Sequence, residues 1–175
     1  PRFENRMEIL SWMEDRFVAK YGTDQVGHQQ LYEKAKHLMF SDLTAAFDVA
    51  QEPDHVRAAY GANTFGRGCL MARRLVEAGV TAVEVTLDGW DTHEDNFTRS
   101  RDLMGQLDPG FSMLIKDLLD RDLLGSTMIL CLGEFGRTPR INGNEGRDHF
   151  PAAWSAVLAG GGIRVHGRMP IDELD

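Results

Sequence analysis

Asp91 and His93 stand two positions apart at the end of an apolar alternation, and Asp148 and His149 stand side by side at the far end of a glycine-rich stretch. In extended chain, residues two apart point the same way, and a carboxylate with an imidazole is a donor pair that suits a divalent metal. Taken alone, the first pair reads better as Asp91 capping a turn and His93 lying on the surface. Glu134, the first charged residue after the apolar run Met128–Leu132, changes that balance. Three carboxylates and two histidines on one edge cannot sit together dry without a cation, and a metal is the simplest one. The expected ligands are Asp91, His93, Glu134 and His149, with Asp148 supporting them, and zinc, calcium and manganese all fit this donor list.

Three arginines share the same stretch: Arg137 and Arg140 flank Pro139, and Arg147 precedes Asp148. Guanidinium groups bind tetrahedral oxyanions through paired hydrogen bonds, which makes them candidate substrate contacts. Pairing with Glu134, Glu145 or Asp148 to hold the loop explains them equally well. His28, His37, His55 and His166 have no partner pattern and read as ordinary residues. No G-x-S-x-G nucleophile motif occurs, and Cys131 falls inside the apolar run, where a thiolate is disfavoured.

The elements that must position these residues are legible from periodicity. Phe3, Met7, Leu10, Glu14 and Phe17 share one helical stripe that Gly22 closes, and Thr23 or Asp24 caps a second helix carrying Leu31, Ala35, Leu38 and Met39. Ser41 and Asp42 offer a cap for a third helix ended by Pro53. Asp54 caps a turn running to Tyr60, and Asn63 or Thr64 opens a helix to Ala78 with Gly79 beyond it. Val83, Val85 and Leu87 then alternate with polar neighbours at the two-residue period of a strand. A helical region follows to about Arg121, with Leu103, Leu107, Phe111, Leu114 and Leu118 on one face and a kink or restart expected at Pro109. Met128–Leu132 reads as a strand covered on both faces. Strand, helix, strand predicts a right-handed crossover and parallel pairing, which would bring His93 and Glu134 to one edge. A long loop, a third strand at Trp154–Leu158 and an edge strand at Ile163–Met169 complete the expectation. Gly160, Gly161 and Gly162 lack the spacing of a phosphate-binding loop and read as close backbone packing.

With 175 residues and 42% hydrophobic content the chain can bury one core. A net charge of -8 argues against nucleic acid as the main partner. No run approaches the roughly 18 apolar residues of a membrane span, and no leader pattern is visible. Cys69 and Cys131 have no C-x-x-C spacing and are expected to be free thiols.

Gly89-Trp90-Asp91-Thr92-His93, Gly133-Glu134-Phe135-Gly136-Arg137-Thr138-Pro139, Gly146-Arg147-Asp148-His149-Phe150 and Trp154–Gly162 resemble the sulfatase-like family catalogued as domain of unknown function fifteen-oh-one, grouped with the alkaline phosphatase superfamily. The resemblance covers about residues 80–167. It implies an α/β fold, a mostly parallel sheet flanked by helices, with residues 1–79 a mainly helical part and 80–175 the sheet-forming part of one partial domain. It implies a metal held by Asp91, His93 and His149, with Glu134 where a second metal position would begin. Phe135 stands where that position's histidine is expected. The implied activity is hydrolysis of a small anionic ester, or of a sulfated or phosphorylated glycan, by an exported protein of the periplasm or extracellular space. The resemblance also implies that the nucleophile lies in an N-terminal half outside these residues, leaving this piece inactive alone. The alternative is a non-catalytic surface or carbohydrate-binding protein.

Overall fold

A computed structural model describes residues 2–22, 28–39, 41–153 and 155–163. Among the described residues there are five α-helices: α1 (Arg2–Tyr21), α2 (His28–Met39), α3 (Asp54–Ala59), α4 (Thr64–Glu77) and α5 (Asn96–Asp120). Four short strands follow: β1 (Met128–Leu132), β2 (Gly136–Arg137), β3 (His149–Phe150) and β4 (Ala156–Gly160). The chain divides into two compact units, Pro1–Ala45 and Ala46–Asp175. No helix among the described residues is long and apolar enough to cross a membrane.

In the first unit α1 ends at Tyr21; the Gly22 amide still donates to the Val18 carbonyl, and the Gly22 φ of 84° then takes the backbone out of the helix. The expected caps Thr23 and Asp24 lie outside the described residues, as do Trp154, His166 and most of the expected edge strand Ile163–Met169. The expected third helix is instead two 3-10 segments, Asp42–Phe47 and Val49–Gln51. Asp48 separates them, its carboxylate accepting from the Ala50 amide, a local bond that competes with a continuous helix.

The second unit is built on the pairing of α4 with α5. Asn63 caps α4 by accepting from the Gly66 amide at 2.8 Å. The two helices cross where Gly66 meets Gly110, and a Cβ on Gly110 would lie 3.0 Å from the Gly66 Cα. Their apolar stripes enclose Tyr60, Cys69 and Leu70, with Phe65, Val85, Met113 and Leu114 packed around them. Helix α5 runs unbroken through Pro109, correcting the expected restart. Proline there can donate nothing to the Gly105 carbonyl, but the helix is carried across by packing on α4.

A buried ionic network joins the same helices. The Arg73 side chain is 2% exposed and lies 2.9 Å from Glu52, 2.7 Å from Glu77 and 2.9 Å from Asp117. Arg74 pairs with Glu52, Arg121 with both Asp117 and Glu77, and the Tyr60 hydroxyl donates to Asp117 at 2.8 Å. Three cations thus meet three carboxylates, the arrangement a buried charge requires. The Glu77 contact has hydrogen-bond geometry, whereas Arg73 Nε and Nη2 meet their carboxylates at ion-pair distance only.

The expected parallel sheet is not formed. Strand β1 pairs antiparallel with β4, with Leu130 opposite Leu158, and β2 pairs antiparallel with β3. Among the described residues Val83–Leu87 belongs to no ladder. Of its alternating residues Val83 is exposed while Val85 and Leu87 are half-buried, and what cover there is comes from helices: Val85 packs on the Tyr60–Cys69–Leu70 cluster and closes over Gly68. Helix α5 lies on α4 and does not bridge two strands, so no crossover exists to set a parallel register. Strand β1 is likewise not covered on both faces: Ile129 is 8% exposed, but Leu130 is 54% exposed.

Candidate metal centre

The candidate residues reach one place by two routes. Asp91 and His93 lie in the segment entering α5, and that segment is clamped against the far end of the β2–β3 connection. The Arg147 amide donates to the Thr92 carbonyl at 3.0 Å, the Asp95 amide to Asn144, and the Asn96 amide to Glu145. Glu94 and Glu145 form an isolated antiparallel bridge. Buried Thr92 donates its hydroxyl to Asn96 Oδ1 at 2.7 Å, tying the segment to the first residue of α5. Gly146 permits the clamp, since a Cβ there would fall 1.9 Å from the His93 carbonyl oxygen.

His149 arrives from β3, where it is the cross-strand partner of Arg137. Residues opposite one another in a ladder project to the same face, and both side chains meet Asp91. Asp91 Oδ1 accepts from Arg137 Nη2 at 2.6 Å and lies 3.0 Å from His149 Nε2 and 3.1 Å from His93 Nε2. The two Nε2 atoms are 3.1 Å apart. Asp91, His93 and His149 therefore form a group that can hold a metal ion. An ion at about 2.0–2.1 Å from three such donors sees edges of about 3.3 Å in tetrahedral coordination, close to the 3.0–3.1 Å found here. The donor chemistry fits as well, two imidazole nitrogens and one carboxylate oxygen being a set for first-row divalent ions more than for calcium, which prefers oxygen throughout.

Asp148 stands behind His93, with His93 Nδ1 and Asp148 Oδ1 2.9 Å apart. When Nδ1 carries the proton and donates it to that carboxylate, Nε2 is left with its lone pair facing the triad, the arrangement common to metal-ligating histidines. Hydrogen bonds from His149 and Arg137 hold the Asp91 carboxyl down at about 2. The Asp148 carboxyl is also lowered, first by the bond to His93 and then by that to Asn142.

The remaining candidates are placed differently. Glu134 is exposed and stands outside the group of three. Phe135 packs on the His149 ring with centroids 4.4 Å apart, and His149 in turn lies 4.7 Å from the His93 ring. Arg147 braces the loop, its Nη1 donating to the Thr138 and Pro139 carbonyls at 2.7 and 3.1 Å. Arg140 is exposed. Of the arginines, Arg137 is the one at the triad, and its guanidinium also lies 5.8 Å from the Phe135 ring. Cys69 and Cys131 are free thiols, and burial pushes Cys69 up to about 12.

Sequence reasoning missed Asn142, which links the loop to both His93 and Asp148. Its only sequence signal was the Asn-Gly pair, which marks a turn and says nothing of its partners.

The family model described as "Protein of unknown function (DUF1501)" matches residues 1–170. No curated protein and no solved structure matches the chain, so the sulfatase and alkaline phosphatase likeness rests on the motifs alone.

Proposed function

The chain belongs to that family, and from this premise we propose that Asp91, His93 and His149 hold one first-row divalent ion in a hydrolase of phosphate or sulfate esters. The observation carrying this reading is the mutual approach of one carboxylate oxygen and two imidazole nitrogens to 3.0–3.1 Å. Without a cation, Asp91 pairs with the Arg137 guanidinium and Asp148 with His93, and these two carboxylates and one guanidinium carry a net negative charge whenever both imidazoles are neutral. A bound ion supplies the missing positive charge and, as a Lewis acid, polarises an anionic ester.

The residues of the chain divide the remaining work. Asp148 holds the His93 ring, β2–β3 pairing sets His149 beside Arg137, and Phe135 walls the His149 ring. Hydrogen bonds from His149 and Arg137 lower the Asp91 carboxyl, and Arg137 also brings a guanidinium to where an anionic group would dock. The ester class is supported by the motif likeness to sulfatase-like proteins, and the location outside the cytoplasm belongs to the same proposal.

The test is a calorimetric titration of the purified protein with zinc, manganese and calcium. The expected result is one zinc or manganese per chain, lost in His93→Ala. Equal binding by His93→Ala, or no binding by the wild type, overturns the site. Turnover of aryl phosphate or aryl sulfate by the complete natural polypeptide then separates a hydrolase from the second reading, a non-catalytic surface or carbohydrate-binding protein. That second reading draws on the openness of the triad, since the Asp91 side chain is 66% exposed and those of His93 and His149 are 44% and 48% exposed.

A further inference from the structure

Asn142 uses every hydrogen-bonding position of its amide. Its Nδ2 donates to the His93 carbonyl at 3.0 Å and to Asp148 Oδ1 at 3.1 Å. Its Oδ1 accepts from the amides of Asn144 and Gly146, each at 2.9 Å. An amide has two donor hydrogens and two acceptor lone pairs, so the group is saturated. The orientation is forced, because a flipped amide would set NH2 against two N–H donors and oxygen against a carbonyl and a carboxylate. The same surroundings discriminate against an aspartate here, which has nothing to donate.

The partners give this saturation a purpose. The backbone of Asp148 is held by Thr138, whose hydroxyl accepts from the Asp148 amide at 3.1 Å and whose amide donates to the Asp148 carbonyl at 2.9 Å. What that leaves open is the rotation of the carboxylate. Asn142 donates to Oδ1, the same oxygen that meets His93 Nδ1. It also grips the His93 backbone directly, so one amide sets both the ring and the carboxylate that orients it.

We propose that Asn142 is the positioning residue of the metal centre: its amide aims Asp148 at His93 Nδ1 and thereby keeps the His93 Nε2 lone pair directed at Asp91 and His149. The effect on metal affinity rests on the function proposed above, whereas the effect on the His93 ring does not.

The experiment compares the wild-type chain with Asn142→Asp, which keeps an oxygen for the Asn144 and Gly146 amides and loses both donated bonds. Nitrogen-15 NMR of the His93 ring in metal-free protein reports which nitrogen carries the proton, and a zinc titration reports affinity. Expected are a wild-type ring protonated at Nδ1, a mixture of tautomers in the variant, and zinc binding weakened about 10- to 100-fold, the usual cost of losing a group that orients a ligand. A cobalt(II) titration should show a changed visible spectrum in the variant, which a merely structural defect away from the ligands would not produce. An unchanged ring tautomer together with zinc affinity within twofold overturns the proposal. If the wild type binds no zinc, the metal reading fails and the ring tautomer alone decides the role of Asn142. Asn142→Ser, whose hydroxyl still serves the turn but cannot reach Asp148, stands in should Asn142→Asp not fold, and a ring still held at Nδ1 in that variant refutes the positioning role.

Discussion

Replacing Arg73 by Met removes the central cation of the α4–α5 network while filling much of the same space with an adaptable side chain. Arg73 contacts Glu52, Glu77 and Asp117, and the first and last of these have side chains only 10% exposed. Breaking a buried pair from one side costs about 3–5 kcal/mol. Here the lower end applies, about 3 kcal/mol, because Glu52 keeps Arg74 while Asp117 keeps Arg121 and the Tyr60 hydroxyl. Two of the three Arg73 contacts also lack hydrogen-bond geometry. Since the chain forms two units, a single global midpoint is not the right readout. Amide hydrogen exchange of Leu70 and Leu118 along a urea series measures this unit directly, and the expected shift is about 1–2 M urea.

The pH dependence supplies a second and independent check. Burial opposes ionisation of Asp117 and Glu52, but the hydrogen bonds and charges of their arginine partners outweigh it, so both carboxyls are lowered in the folded protein. A lowered carboxyl contributes stability that is present above its unfolded value, about 3.9–4.3, and is lost as pH falls through the folded value. In Arg73→Met the burial remains and one of the counter-charges is gone, while Arg74, Arg121 and Tyr60 stay, so protonation costs the variant less than it costs the wild type. The gap between them should therefore shrink as the pH is taken below about 4. A loss below about 1 kcal/mol at pH 7, the worth of an exposed pair, or a gap that widens in acid, refutes the reasoning.

Two further substitutions test how the site and sheet are held. Gly146→Ala drives a Cβ into the His93 carbonyl and should weaken zinc binding about 10-fold or more in the same titration, whereas Gly143→Ala, with nothing within 4 Å, should leave it unchanged. Equal affinities would mean that the clamp does not position the ligands. Ile129→Ala should cost about 2–4 kcal/mol by urea unfolding, while Leu130→Thr, on the exposed face of the same strand, should stay within about 0.5 kcal/mol of wild type. Comparable losses at both positions would show that the outer face of β1 is covered in solution.

Local chemistry was legible from one dimension. The starts and stops of α3 and α4, the apolar run that becomes β1, and the polar tips bearing Asp91, His93 and His149 all follow from capping residues, periodicity and abrupt changes in polarity. The sheet was not. Alternation in Val83–Leu87 and the run Met128–Leu132 states that side chains want cover, but it does not state whether a helix or another strand provides it. Val85 finds α4, and β1 finds β4.

The same limit applied to the site. The sequence determined which side chains are able to bind a cation and that two of them stand at alternate positions, because residue type and local spacing are properties of the chain itself. The motif likeness already implied Asp91, His93 and His149 as one set, and the tertiary structure brought their donor atoms within 3.0–3.1 Å of one another and left Glu134 outside. The tertiary structure alone revealed that Asn142 saturates its amide between His93 and Asp148 and that Arg73 anchors the helical core. Hydrogen bonds have a reach of about 3 Å, and which groups come within it depends on how segments distant in sequence pack together.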